Sequence, residues 1–174
     1  MILNTERLLL RPLTMADTAD IYAYASHEEV GPNAGWQPHA NLAETQKIML
    51  SVFLPQEHVF GLALPEQDKV IGTIGLLEDP KRQYQGARML GYSLGRDYWG
   101  LGLMTEAAQR IIAYGFDNLQ LKLISAYCYP HNQRSRRVLR KCGFTYEGSL
   151  RLCEELYNGE VYDNDCYILI NPDL

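Results

Sequence analysis

The sequence predicts an α/β fold in which a mixed, twisted central sheet carries helices on both faces. Three observations predict it. Strand-like runs and helical periods follow one another in the order β-α-α-β-β-β-α-β-α-β-β. Val59 to Leu64 and Lys69 to Leu77 flank the turn Pro65-Glu66-Gln67-Asp68, a hairpin signal. Leu103, Met104, Ala107, Ala108, Ile111 and Ile112 recur at helical spacing between two β-rich runs. The 174 residues suit one domain, 1–174, long enough to bury a core without disulfide or metal.

In chain order, Arg7 to Pro12 is a short apolar strand. Thr14 can cap a helix over 15–25, with Asp17 as a variant capping box. Gly31, Pro32, Gly35 and Pro38 make 26–40 a loop, long for a compact domain. Such a loop suits a lid or binding wall, and its large groups Trp36 and His39 are candidate substrate-binding residues. Asn41 can cap a helix to about Leu54, which Pro55 helps stop. After the hairpin, Tyr84 to Leu94 is a third strand ending at Gly95. A helix from Leu101 or Gly102 runs to about Asn118, and Leu123 to Cys128 is a strand ended by Pro130. A basic helix over 133–141 closes at Gly143, and Phe144 to Gly148 and Val161 to Ile170 are late strands.

The composition is globular: 47% hydrophobic, 21% charged and 10% aromatic residues exclude a disordered chain. The net charge of −5 argues against a general nucleic-acid binder. Residues 1–87 hold 6 basic and 11 acidic side chains, while 88–174 hold 10 of each. Arg134, Arg136, Arg137, Arg140 and Lys141 form a local basic run, so an anion site can sit in an acidic protein. Cys128, Cys142, Cys153 and Cys166 lack metal-ligand spacing, so no metal is expected and reduced, packed thiols in a cytoplasmic protein are. No apolar run resembles a signal peptide or a membrane span.

The most informative stretch is Leu94-Gly95-Arg96-Asp97-Tyr98-Trp99-Gly100-Leu101-Gly102-Leu103-Met104-Thr105-Glu106. A strand leads in, glycines punctuate a turn and an apolar helix leads out. Unpaired N–H groups at that helix start, with its dipole, favour an anion such as a pyrophosphate. A Walker A loop is absent, and a dinucleotide fingerprint fails because Thr105 stands at its third glycine. The glycines alone are equally compatible with a helix-start turn that binds nothing.

The chain resembles the GNAT superfamily of N-acetyltransferases, in the branch of the ribosomal-protein N-terminal (alanine/serine) acetyltransferases. The resemblance covers Thr5-Glu6-Arg7-Leu8-Leu9-Leu10-Arg11-Pro12, then Gly91-Tyr92-Ser93-Leu94-Gly95 with Tyr98 to Ala107. A third part comprises Asn132, Ser135, Arg137-Val138-Leu139, Lys141, Gly143-Phe144 and Glu147-Gly148. Of the superfamily's Q/R-x-x-G-x-G/A pattern, with Trp99 first and Met104 last, only the central Gly102 matches. The resemblance implies two parallel strands that splay apart around acetyl-CoA, a co-substrate held by Leu90, Trp99, Gly100, Leu101, Gly102, Leu103, Met104, Thr105, Asn132, Arg134, Ser135 and Arg137. It implies that Ser135 assists the departing thiolate and that backbone N–H groups near Leu90 polarise the thioester carbonyl.

Several residues keep two roles open. Asn132 can cap a helix or touch the cofactor, and Tyr127 and Tyr129 are core aromatics or hydroxyl donors. Arg134, Arg136 and Arg137 are a solvated helix face or a phosphate site. The strand Ala87-Arg88-Met89-Leu90-Gly91-Tyr92 lacks the carboxylate base that many GNAT members place there. Glu78, Glu106 and His39 are the alternatives. A terminal amine, with a reference pKa of about 7.7–8.0, deprotonates more easily than lysine at about 10.4. The expected activity is therefore acetyl transfer to a primary amine, foremost the N-terminal α-amine of a protein such as a ribosomal protein. The other expectations are a small-amine acetyltransferase acting on a polyamine, amino acid or aminoglycoside, and a non-catalytic acyl-CoA-binding module. The expected partners are an amine-bearing peptide, protein or small molecule, with no nucleic acid or membrane, and the chain itself as monomer or homodimer.

Overall fold

The computed structural model describes residues 1–174. Its strands are β1 (Leu3–Asn4), β2 (Leu9–Pro12), β3 (Val59–Leu64), β4 (Lys69–Leu77), β5 (Ala87–Leu94), β6 (Leu123–Cys128), β7 (Thr145–Glu155) and β8 (Val161–Ile170). The helices are α1 (Thr18–Ala25), α2 (Leu42–Ile48, continued by a π turn over Met49–Phe53), α3 (Leu103–Asp117) and α4 (Gln133–Lys141). All eight strands join one mixed sheet in the order β1-β2-β3-β4-β5-β6-β8-β7. No helix is long and apolar enough to cross a membrane.

Successive side chains of a strand point to opposite faces, and the central strands feed two cores accordingly. Leu62 and Ile71 join the larger cluster with α3 and Leu139 of α4, whereas Ala63 and Val70 join a smaller one with Ile21 and Tyr24 of α1 and Met49. The apolar stripe of α3 is buried along its whole length, from Leu103 to Ile112. Full burial of a side chain such as Ile111 stabilises by about 1.5–3 kcal/mol.

Several boundaries differ from expectation for local reasons. The opening strand is β2, joined by a short β1 because the Thr5 hydroxyl and the Leu8 backbone bond each other across the turn. β5 starts at Ala87, since Ala87 N–H donates to the Tyr84 carbonyl in a turn. The loop 26–40 contains one 3-10 turn, Gly31–Ala34, ended by Gly35 at φ 85°. β7 is much longer than 144–148. Its pairing with β8 survives two irregularities and reaches Glu155, seven residues past the expected end at Gly148.

The feature that places the site lies between β5 and β6. These two strands are parallel, and their pairing ends at Met89 opposite Ser125. Beyond it β5 follows β4 to Leu94, while β6 follows β8 to Cys128. The two central parallel strands splay, as the resemblance implied.

Candidate active site

The start of α3 is shaped by two glycines. Gly100 and Gly102 have φ of 80° and 81°, a left-handed conformation that costs other residues roughly 1–2 kcal/mol. Past this turn the first N–H with an intrachain partner belongs to Glu106, which donates to the Gly102 carbonyl at 3.1 Å. The N–H groups from Leu101 to Thr105 are presented together at the positive end of a 15-residue helix. Glu106 anchors the turn from behind, accepting from the Arg7 backbone N–H at 2.8 Å and its guanidinium at 2.7 Å. That pairing gives Glu106 a structural duty rather than a proton-transfer one. Arg7 also donates to the Leu101 carbonyl at 3.0 Å.

Trp99 braces the same turn. Its indole N–H donates to the Leu94 carbonyl at 2.8 Å. The guanidinium carbons of Arg96 and Arg134 lie 4.9 and 4.4 Å from the centroid of its ring. Arg96 in turn bonds Glu29 of the 26–40 loop at 2.5 Å.

α4 supplies the cations. Asn132 caps it, accepting from the Ser135 N–H at 3.1 Å, while its own amide donates to the Asn33 carbonyl at 3.1 Å. The cap sets Arg134, Arg137, Val138 and Lys141 on one face by their i, i+3, i+4, i+7 spacing. A cavity of about 300 Å³ lies between this face, the α3 start and the loop. Trp99, Gly100, Gly102, Leu103, Met104, Thr105, Asn132, Arg134, Ser135 and Arg137 all line it; of the residues expected there, Leu101 and Leu90 do not. Three cations (Arg134, Arg137 and Lys141) and no carboxylate border it. None of the three is engaged in an ion pair. The chemistry of this wall fits an anionic ligand with phosphates.

A second cavity of about 470 Å³ fills the splay, with Met89 to Tyr92 on one side and Ala126 to Tyr129 on the other. Leu90, the first residue of β5 beyond the last β6 pair, lines it. Asn33, Ala34, Tyr92, Asn132 and Ser135 line both cavities, so the two meet there. At the junction Tyr92 Oη stands 2.8 Å from Ser135 Oγ. Burial pushes the Tyr92 phenol up, so it stays protonated. A Tyr92 hydroxyl donating to Ser135 Oγ leaves the serine proton free for a group in the cavities.

Sequence reasoning missed one carboxylate. Glu154 of β7 is the sole Asp or Glu lining the second cavity. It accepts from Tyr129 Oη at 2.8 Å and from Asn164 Nδ2 at 2.7 Å. The nearby Asp79 is engaged elsewhere, by Ser125 at 2.6 Å, Tyr127 at 2.9 Å, the Lys81 N–H at 2.8 Å and Arg82. Glu78 lines neither cavity. Trp36 and His39 are not brought to the cavities either. His39 is buried, its Nδ1 is 3.0 Å from Thr45 Oγ1, and Trp36 packs against its ring. Burial lowers the His39 pKa, so its imidazole is held neutral inside the loop.

All four cysteines are free. Cys128 lines the second cavity, but burial pushes its thiol up to about 11, which starves any covalent acetyl-cysteine route of thiolate.

Comparison with known proteins decides what this geometry belongs to. The family described as "Acetyltransferase (GNAT) domain" matches residues 7–145. The chain is a GNAT acetyltransferase. Among GNAT relatives, the uncharacterized N-acetyltransferase p20 of Bacillus licheniformis is 34% identical over 153 residues, 86% of this chain and 85% of that protein. The ribosomal protein uS5-alanine N-acetyltransferase of Escherichia coli K12 is 30% identical over 184 aligned residues, 98% and 91% of the two chains. A GNAT-family acetyltransferase structure from Bacillus anthracis superposes with a TM-score of 0.86 at 26% identity, covering 98% of this chain and 99% of that one. The family uses acetyl-CoA, and the phosphate-ready first cavity fits that co-substrate.

Proposed function

We propose that this GNAT enzyme acetylates the α-amine at a polypeptide N-terminus. The observation that carries the proposal is the junction of two chemically distinct cavities at Ser135 and Tyr92, one whose charged lining residues are all cations, the other holding a single carboxylate. Gly102 to Thr105, Arg134 and Arg137 hold the diphosphate and ribose-phosphate end of acetyl-CoA. Acetyl-CoA supplies the acetyl group as a thioester. The Leu90 backbone N–H polarises the carbonyl being attacked. Glu154 receives the proton that the amine must lose as its nitrogen bonds to carbon. Ser135, supported by Tyr92, donates a hydrogen bond to the sulfur that leaves. Proximity in a shared enclosure supplies a large part of the rate.

The finding of Glu154 removes the main support for a merely acyl-CoA-binding module, which was the missing carboxylate on β5. It also weakens one argument for an α-amine, because a base is present. Two supports remain. The E. coli relative is named for acetylating an alanine of a ribosomal protein. And a polyamine, with several ammonium groups, would meet only one carboxylate and a lysine, Lys81, in this cavity. The test is thiol release from acetyl-CoA across N-terminal peptides, polyamines, amino acids and aminoglycosides. The highest kcat/KM is expected for the peptides; a higher value for any small amine refutes the α-amine assignment.

A further inference from the structure

The Glu154 carboxylate does not sit freely in its cavity. Tyr129, buried at the end of β6, donates to Glu154 Oε1 at 2.8 Å. The ring of Tyr129 is stacked on His131 at 5.6 Å and meets the edge of Tyr162 at 5.2 Å, so it has little room to turn. Burial, together with the bond to Glu154 and its charge, pushes the Tyr129 phenol up; it remains protonated and serves as donor. The loop presses on this pair from above. A Cβ built on Gly35 would stand 2.5 Å from Tyr129 Oη and 2.9 Å from Glu154 Oε1, closer than a real Cβ is found, and φ there is 85°. Glycine is therefore needed at position 35 for both clearance and conformation. None of these contacts serves the cation-lined cavity, and Tyr129 lines only the second one.

We infer that Tyr129, roofed by Gly35, is a positioning residue that fixes the Glu154 carboxylate toward the amine. The inference rests on the reading of Glu154 as the proton acceptor. A carboxylate oxygen has two lone-pair sites, so one bond from Tyr129 and one from Asn164 immobilise both oxygens and still leave each able to accept a proton. The loop contributes the one residue type that can cover the pair without displacing it. The 26–40 loop would then act on the reaction through Gly35 rather than through Trp36 or His39.

The test compares Tyr129→Phe, Gly35→Ala, Glu154→Gln and the Tyr129→Phe/Glu154→Gln double variant, using steady-state thiol release with the best peptide of the acceptor screen. Removing the hydroxyl is expected to lower kcat about tenfold or more, with KM for acetyl-CoA unchanged. Gly35→Ala is expected to lower kcat in the same way. In the Glu154→Gln background, Tyr129→Phe is expected to cost nothing further, because a positioning bond has nothing left to position. Wild-type kcat in Tyr129→Phe, or multiplying losses in the double variant, overturns the inference. If Tyr129→Phe does not fold, Gly35→Ala alone decides: wild-type kcat overturns the inference. Undiminished turnover in Glu154→Gln instead overturns the proton-acceptor reading beneath it.

Discussion

Replacing Gly102 with alanine separates the stability of the α3 start from its ligand chemistry. The site has room for a methyl group, since the nearest atom to a Cβ there is Arg7 Nη2 at 3.6 Å. The cost therefore comes from φ at 81°, roughly 1–2 kcal/mol for a residue with a side chain. For a domain of this size that is a fall in Tm of about 2–8 °C. If the turn relaxes to relieve the strain, the N–H groups of residues 101–105 no longer converge. Each charge-assisted hydrogen bond lost is worth about 1.5–3 kcal/mol, or about ten- to a hundredfold in Kd. Thermal unfolding without ligand and calorimetric titration with CoA measure the two effects independently. The expected outcome is a modest drop in Tm and a loss of CoA affinity of at least about tenfold. Wild-type affinity in a folded Gly102→Ala protein would refute the assignment of this turn to the phosphates.

Three other outcomes follow from the same geometry. Arg134→Ala removes a guanidinium that stacks on Trp99 and faces the cation-lined cavity, so CoA binding should weaken several-fold, with a shallower dependence on salt than in the wild type; an unchanged salt dependence would count against a phosphate contact. Iodoacetamide at pH 8 should modify exposed Cys153 well before Cys128 and Cys142, whose thiols are held at about 11, as peptide mass mapping would show; equal rates would contradict their burial. Asp17 and Asp79 are buried, which alone would raise their pKa values, but hydrogen bonds outweigh that and hold both below the ordinary carboxylate range. A depressed folded pKa gives stability that is present above the unfolded value, near 3.9, and is lost as pH falls through the folded one. Tm should therefore fall below about pH 4, and Asp79→Asn should flatten that fall; an unaltered acid limb in the variant would refute the contribution of Asp79.

Much of the fold was legible because its signals are local. The hairpin strands, β6 and α4 lie at their expected residues, each bounded by a proline, a glycine or a cap such as Asn132. Gly100 and Gly102 were legible as a helix-start turn because only their neighbours in sequence define it. What escaped was nonlocal or lacked a pattern. β7 is an edge strand exposed on nearly every residue, so its side chains show no alternation, and Leu152 at φ 45° interrupts it further. Glu154 sits in that unpatterned strand and becomes a site residue only through Tyr129, 25 positions away. Tyr92 reads as an ordinary strand aromatic until α4 brings Ser135, 43 positions on, to its hydroxyl. His39 and Trp36 looked like wall residues because a long loop rarely holds such groups idly. Their partners, Thr45 and each other, explain them as the packing that shapes the loop.

The most direct test of the joined-cavity account is a paired measurement on wild type and Glu154→Gln: acetyl-CoA-dependent acetylation of an N-terminal peptide, followed by mass spectrometry, beside CoA binding by calorimetry. The account predicts that the wild type places one acetyl group on the α-amine. It predicts that Glu154→Gln loses at least about a hundredfold in kcat while CoA affinity stays within about twofold. An equal loss of CoA affinity in the variant, or acetylation at the wild-type rate, would contradict it.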